Sequence, residues 1–112
     1  MPNGQHQCEA NRAEFIRLLQ GDEQDEWRIT ETALSDGRLL LPSYRGHFGA
    51  YAINLFILDL LRANFPMHSV ILGSGDLGCV MNAQLSDGRP LYIKLTIQDE
   101  IAVILSFHVS IH

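Results

Sequence analysis

The side chains able to move protons or bind phosphate gather in the later part of the chain: Arg45, His47, His68, Arg89, Lys94, His108 and His112. Successive residues of a strand face opposite ways. Over 101–109, read as a strand, Val103, Leu105 and Phe107 share one face, and Ile104, Ser106 and His108 the other. Lys94, between Ile93 and Leu95 in the preceding strand, points away from both. A lysine and a histidine on adjacent strands then meet over one sheet face, where a concave site would form. The chemistry such a set suits is cleavage of RNA without a metal. A base removes the 2′-hydroxyl proton, an acid protonates the departing 5′-oxygen, and cations stabilise the charge that develops on the phosphorane. Histidine, lysine and arginine fill all three roles with no cofactor. The plainer reading of the same residues is a solvated Lys94 and a strand-end His108 hydrogen-bonded to backbone.

Other chemistries find less support. Gly73-Ser-Gly-Asp-Leu-Gly78 meets the G-x-G-x-x-G spacing, but it precedes a strand instead of opening a helix, and no βαβ unit follows. There is no phosphate loop, zinc spacing, nucleophile elbow or kinase signature. Cys8 and Cys79, the two cysteines, have no partners at metal-ligand spacing and are read as reduced thiols. Neither a metal nor a cofactor is expected. Thirteen acidic against eight basic side chains give a net charge of −5, which repels polyanions at long range. Nucleic-acid binding therefore requires a local basic patch.

These residues need a scaffold, and 112 residues suffice for one core. Residues 1–8 have little to bury and are expected to be a disordered leader; 9–112 are expected to form a single α+β domain. Ala13, Phe15, Ile16, Leu18 and Leu19 mark a first helix, stopped by Gly21, and 22–26 are a solvated acidic loop. Trp27 to Leu41 reads as a hairpin turning at Asp36-Gly37, with a helix over 30–39 as the open alternative. The segment 47–65 is a helix apolar nearly all round, ended by Pro66. Strands at 79–85, 91–97 and 101–109, joined by short turns, must be antiparallel neighbours. Leu-Ser-Asp-Gly-Arg occurs at 34–38 and 85–89 and is read as one turn used twice. The sum is helices on one face of a small antiparallel sheet that ends in a three-stranded meander. The longest apolar stretch, Ala50 to Leu61, falls short of the roughly 20 residues a bilayer demands. No membrane span or signal peptide is expected, and the location is read as cytoplasmic.

Three strings carry a resemblance to a known family. They are Arg28-Ile-Thr-Glu-Thr-Ala-Leu34, Phe65-Pro-Met-His-Ser69, and Leu91-Tyr-Ile-Lys-Leu-Thr-Ile97 taken with Ile104-Leu-Ser-Phe-His108. They resemble, in that order, motifs of the MqsR branch of the RelE-like messenger-RNA interferases, the toxin halves of bacterial toxin–antitoxin pairs. The family's lysine after its central helix falls nearest His68, and its closing lysine position is His108. The resemblance implies a RelE-like fold and an endoribonuclease, ribosome-associated or free. His68 and His108 would be acid and base beside Lys94, with Arg45, Arg89 and His47 holding the substrate. It further implies RNA and a cognate antitoxin protein as partners. The rival reading is a non-catalytic module that binds a protein through its sheet face or edge. Exposed edges also leave a homodimer as an expectation.

Overall fold

A computed structural model describes residues 4–110. In chain order these form α1 (Gly4–Ala10), α2 (Arg12–Leu19), β1 (Trp27–Ile29), α3 (Glu31–Leu40), β2 (Ser43–Tyr44), β3 (His47–Phe48), α4 (Gly49–Arg62), β4 (His68–Ile71), β5 (Leu77–Gln84), β6 (Pro90–Gln98) and β7 (Ile101–Val109). The main sheet has the order β1-β7-β6-β5-β4, antiparallel except where β1 runs parallel to β7. β5, β6 and β7 are the expected meander. β4 extends it by one strand, and the small β2–β3 ribbon packs against α4.

One face of the sheet meets the helices. Phe15, Leu18 and Leu19 of α2, Ala33 of α3, and Ile53, Ile57, Leu58 and Leu61 of α4 join Met81, Ile93, Leu95, Ile104 and Phe107 in a single buried cluster. α4 ends in a turn that satisfies its last carbonyls. Asn64 is left-handed (φ 59°), the Asn64 N–H donates to Leu61 O, and the Phe65 N–H donates to Leu60 O at 3.0 Å. Arg12 grips the same corner, its guanidinium donating to Leu61 O at 2.9 Å and Phe65 O at 2.6 Å.

The structure corrects the sequence reading in four places. Residues 31–40 are helical, the alternative that the sequence left open, and not half of a hairpin. Thr30 caps the helix, its hydroxyl accepting the Ala33 N–H at 3.1 Å. Gly37 is not a turn residue: it lets α3 approach the core so closely that a Cβ there would lie 2.4 Å from Ile53 Cδ1. Leu-Ser-Asp-Gly-Arg is therefore helix at 34–38 and turn at 85–89. Only the second copy has its glycine left-handed, Gly88 at φ 88°, so tertiary contacts decide between two local solutions open to the same five residues. The first helix is two helices hinged at Asn11. Finally, Cys8 and Cys79 are not free thiols but a disulfide, with Cα atoms 5.7 Å apart. Cys8 lies in α1, which overlaps the leader expected over 1–8 and packs on β4; both sulfurs are buried.

Candidate functional site

Among the described residues, the second face of the sheet carries no helix. Strand pairing defines its rows. His108 of β7 faces Tyr92 of β6; Ser106, Lys94, Val80 and His68 line up across β7, β6, β5 and β4; Arg28, Val103 and Thr96 line up across β1, β7 and β6. Val80, Thr96 and Val103 are buried, yet none belongs to the cluster beneath the helices. The Thr96 hydroxyl donates to Leu77 O at 2.8 Å, so the middle of this face is a buried strip of two valines and one satisfied threonine.

Strict alternation would put Ile104 on this face with Ser106 and His108, and the structure does not. A bulge between Lys94 and Leu95 leaves Leu105 without a partner, so Ile104 turns into the core while Ser106 and His108 keep the open side. An extra residue in one strand reverses the phase of all that follows. Thr30 takes up the displaced backbone, its hydroxyl donating to Leu105 O at 3.2 Å.

His108 and Tyr92 stack, ring centroids 5.2 Å apart and planes 20° from parallel. His108 Nδ1 lies 2.9 Å from Val109 O. A carbonyl only accepts, so this hydrogen bond requires the proton on Nδ1 and leaves Nε2 as the basic nitrogen. Lys94 is the diagonal neighbour of His108, roughly 7–8 Å away between Cα atoms. Lys94 and Arg28 make no ion pair among the described residues. No Asp or Glu stands in β1, β4, β5, β6 or β7. The carboxylates of this chain of net charge −5 thus sit in helices, loops and turns, and the open face presents two unpaired cations.

The remaining expected site residues lie elsewhere. His68 shares the face but stands three strands from His108, roughly 14 Å at about 4.8 Å per strand. Side chains rise perpendicular to a sheet, so the two rings do not reach one phosphate. Arg45 and His47 belong to the β2–β3 ribbon on the helix side. Arg45, left-handed at φ 49° in its two-residue turn, donates to Asp59 Oδ1 at 3.1 Å and Oδ2 at 2.9 Å, beside the Tyr44 hydroxyl at 2.6 Å from Oδ2. Burial alone would raise the Asp59 pKa, but the hydrogen bonds from Tyr44 and Arg45 outweigh it and hold it below the usual carboxylate range. Tyr44 is correspondingly raised by donating to Asp59. Arg89 is tied into its own turn by Asp87, 2.7 Å from Nε, and both arginines are committed to carboxylates. Tyr92 is the residue that sequence reading passed over, although its place two residues before Lys94 puts it on the same face.

Comparison of the chain with protein-family models, with curated proteins and with solved structures found no match. Fold and face therefore define an α+β domain with helices on one side of a mostly antiparallel five-stranded sheet and, on the other, an open face whose strands contain no Asp or Glu.

Proposed function

We propose that this chain is a metal-independent endoribonuclease of the messenger-RNA interferase type that works on the open sheet face. The observation that carries the reading is the stacked Tyr92–His108 pair with Lys94 as its diagonal neighbour, on strands that contain no Asp or Glu. His108 Nε2 takes the proton of the 2′-hydroxyl, whose oxygen attacks phosphorus. The bond from phosphorus to the 5′-oxygen breaks, that oxygen leaves with the Tyr92 hydroxyl proton, and a 2′,3′-cyclic phosphate forms. Lys94 stabilises the charge on the phosphorane. Proton return from the imidazolium to the phenolate closes the cycle. The resemblance of the closing strands to the interferase toxins supports this assignment and extends it to a cognate antitoxin as antagonist.

Cleavage of a long single-stranded RNA in EDTA, with and without ribosomes, tests it. Lys94→Met and His108→Ala should each lower the rate at least a hundredfold, the usual scale for an electrostatic or acid–base group, while leaving the circular dichroism unchanged. RNA that survives wild-type protein under both conditions would sink the reading. In its place would stand a protein-binding module, which one feature favours independently. Phe48 (70% exposed) and Tyr51 (55% exposed) line a groove of about 640 Å³ on the helix side.

A further inference from the structure

Beyond Lys94 the open face runs past Val80 to His68 and into a cleft of about 280 Å³ bounded by Phe65, Pro66, Met67, His68 and Asn82. Asn82 is on the outward set of β5, two residues beyond Val80, the partner of His68. That makes it the diagonal neighbour of His68, roughly 7–8 Å away between Cα atoms. Met67 is buried at 2% exposure, and Phe65 is half-buried. The His68 ring and the Asn82 amide hydrogen-bond to no other described residue.

We propose that this cleft is a nucleobase subsite of the RNA-cleaving face, in which one unstacked base lies on Phe65 and presents its edge to Asn82 and His68. The proposal rests on the RNA reading and names how that surface would choose sequence. A side-chain amide offers a donor and an acceptor side by side, the complement of a base edge. Aromatic stacking of a splayed base is the common mode of single-strand recognition. A cleft of about 280 Å³ has room for a base. Asn82 is the direct cross-strand partner of Tyr92, and His68 stands two strands, roughly 10 Å, from Lys94, so the cleft adjoins the reacting groups and would hold a base flanking the scissile phosphate. His68 then becomes a recognition residue and not the second member of an acid–base pair.

The full-length chain carrying His108→Ala, titrated with each of the four homopolymeric tetraribonucleotides and followed by NMR at the Asn82 side-chain amide and the His68 ring, tests this. The expected result is selective movement of both signals, with the tightest homopolymer bound at least about tenfold better than the weakest, within the range a paired amide supplies. Adding Asn82→Ala, at an exposed position, should collapse that spread to about threefold or less; Asn82→Asp, which keeps the acceptors and removes the donor, should change which base is preferred. If the oligonucleotides bind but the spread survives Asn82→Ala, the subsite is wrong and the cleavage reading stands. Selective shifts at Asn82 and His68 in a protein that cuts no RNA would keep the subsite and remove the nuclease. Failure of every oligonucleotide to bind would overturn both.

Discussion

Arg12 sits at 8% exposure with its guanidinium shared among four acceptors: Glu9 Oε2 at 2.9 Å, Glu9 Oε1 at 2.8 Å, Leu61 O at 2.9 Å and Phe65 O at 2.6 Å. It ties α1 and α2 to the C-terminal corner of α4, where the chain turns toward His68. Arg12→Met keeps the apolar stem and removes every donor. A hydrogen bond from a charged group contributes about 1.5–3 kcal/mol, and the full loss falls on Phe65 O. Leu61 O still accepts the Asn64 N–H, so its loss is smaller. The Glu9 carboxylate is 41% exposed and adds about 0.5 kcal/mol after solvent screening. Against these stands the relieved cost of burying a cation. The net is a destabilisation of about 3 kcal/mol, read from the urea midpoint at unchanged slope. The Arg12 hydrogen bond also holds the Glu9 pKa below the usual glutamate range. A carboxylate depressed in the folded state contributes stability above its unfolded pKa and loses it as pH falls through the folded value. Wild type should therefore lose part of its margin over Arg12→Met below the glutamate range. A loss under 1 kcal/mol at neutral pH, with no narrowing of the gap in acid, would refute the clamp.

Two further perturbations probe the fold. Reduction of Cys8–Cys79, or Cys8→Ser, reopens a link between residues 71 apart in sequence. The chain-entropy account puts its ceiling at roughly 4 kcal/mol, so the urea midpoint should fall by an amount worth about 2–4 kcal/mol; equal midpoints with and without reductant would refute a structural disulfide. Gly37→Ala raises helix propensity by up to about 1 kcal/mol, yet the new methyl meets Ile53, which is fully buried and cannot give way. Overpacking at about 1–3 kcal/mol should win, and a variant more stable than wild type would show that α3 can slide.

The meander was legible because its signals are local: β-branched runs broken by Ser-Asp-Gly-Arg and by Asp-Glu leave little choice of pairing. Elements decided by distant contacts were harder to read. α3 is helical because Gly37 fits against Ile53 and Phe107, residues far along the chain, so its own Asp-Gly spoke for a turn that tertiary packing overrode. β4 is four residues, His-Ser-Val-Ile, with one pairing edge, too short to show a period. The disulfide was hidden for a similar reason, since only the packing of α1 on β4 brings Cys8 within reach of Cys79. Parity put Lys94 and His108 on one face, as the strand pairing does, while the bulge at Leu105, which no residue type announces, moved Ile104 to the core and Val103 to the open face.

Net charge was the sequence feature that argued most strongly against nucleic acid, and the fold changes its meaning. A net −5 describes the whole surface, whereas an RNA strand on the open face meets Lys94 and Arg28 in the sheet itself, with carboxylates at its margins: Asp36 lines a cavity with His108, Asp76 accepts from Gln98 at 3.4 Å, and Asp87 stands in the turn before β6. Asp87 is already paired with Arg89. If two phosphates are neutralised there, the logarithm of the binding constant should fall with the logarithm of salt at a slope of about −1.4, from roughly −0.7 per phosphate on single strands. Lys94→Met should bring the slope to about −0.7, whereas Arg45→Met, on the helix side and occupied by Asp59, should leave it unchanged. Binding that ignores salt, or a slope that responds to Arg45 and not to Lys94, would place the contact on the wrong side of the sheet and remove the basis for an RNA-cleaving face.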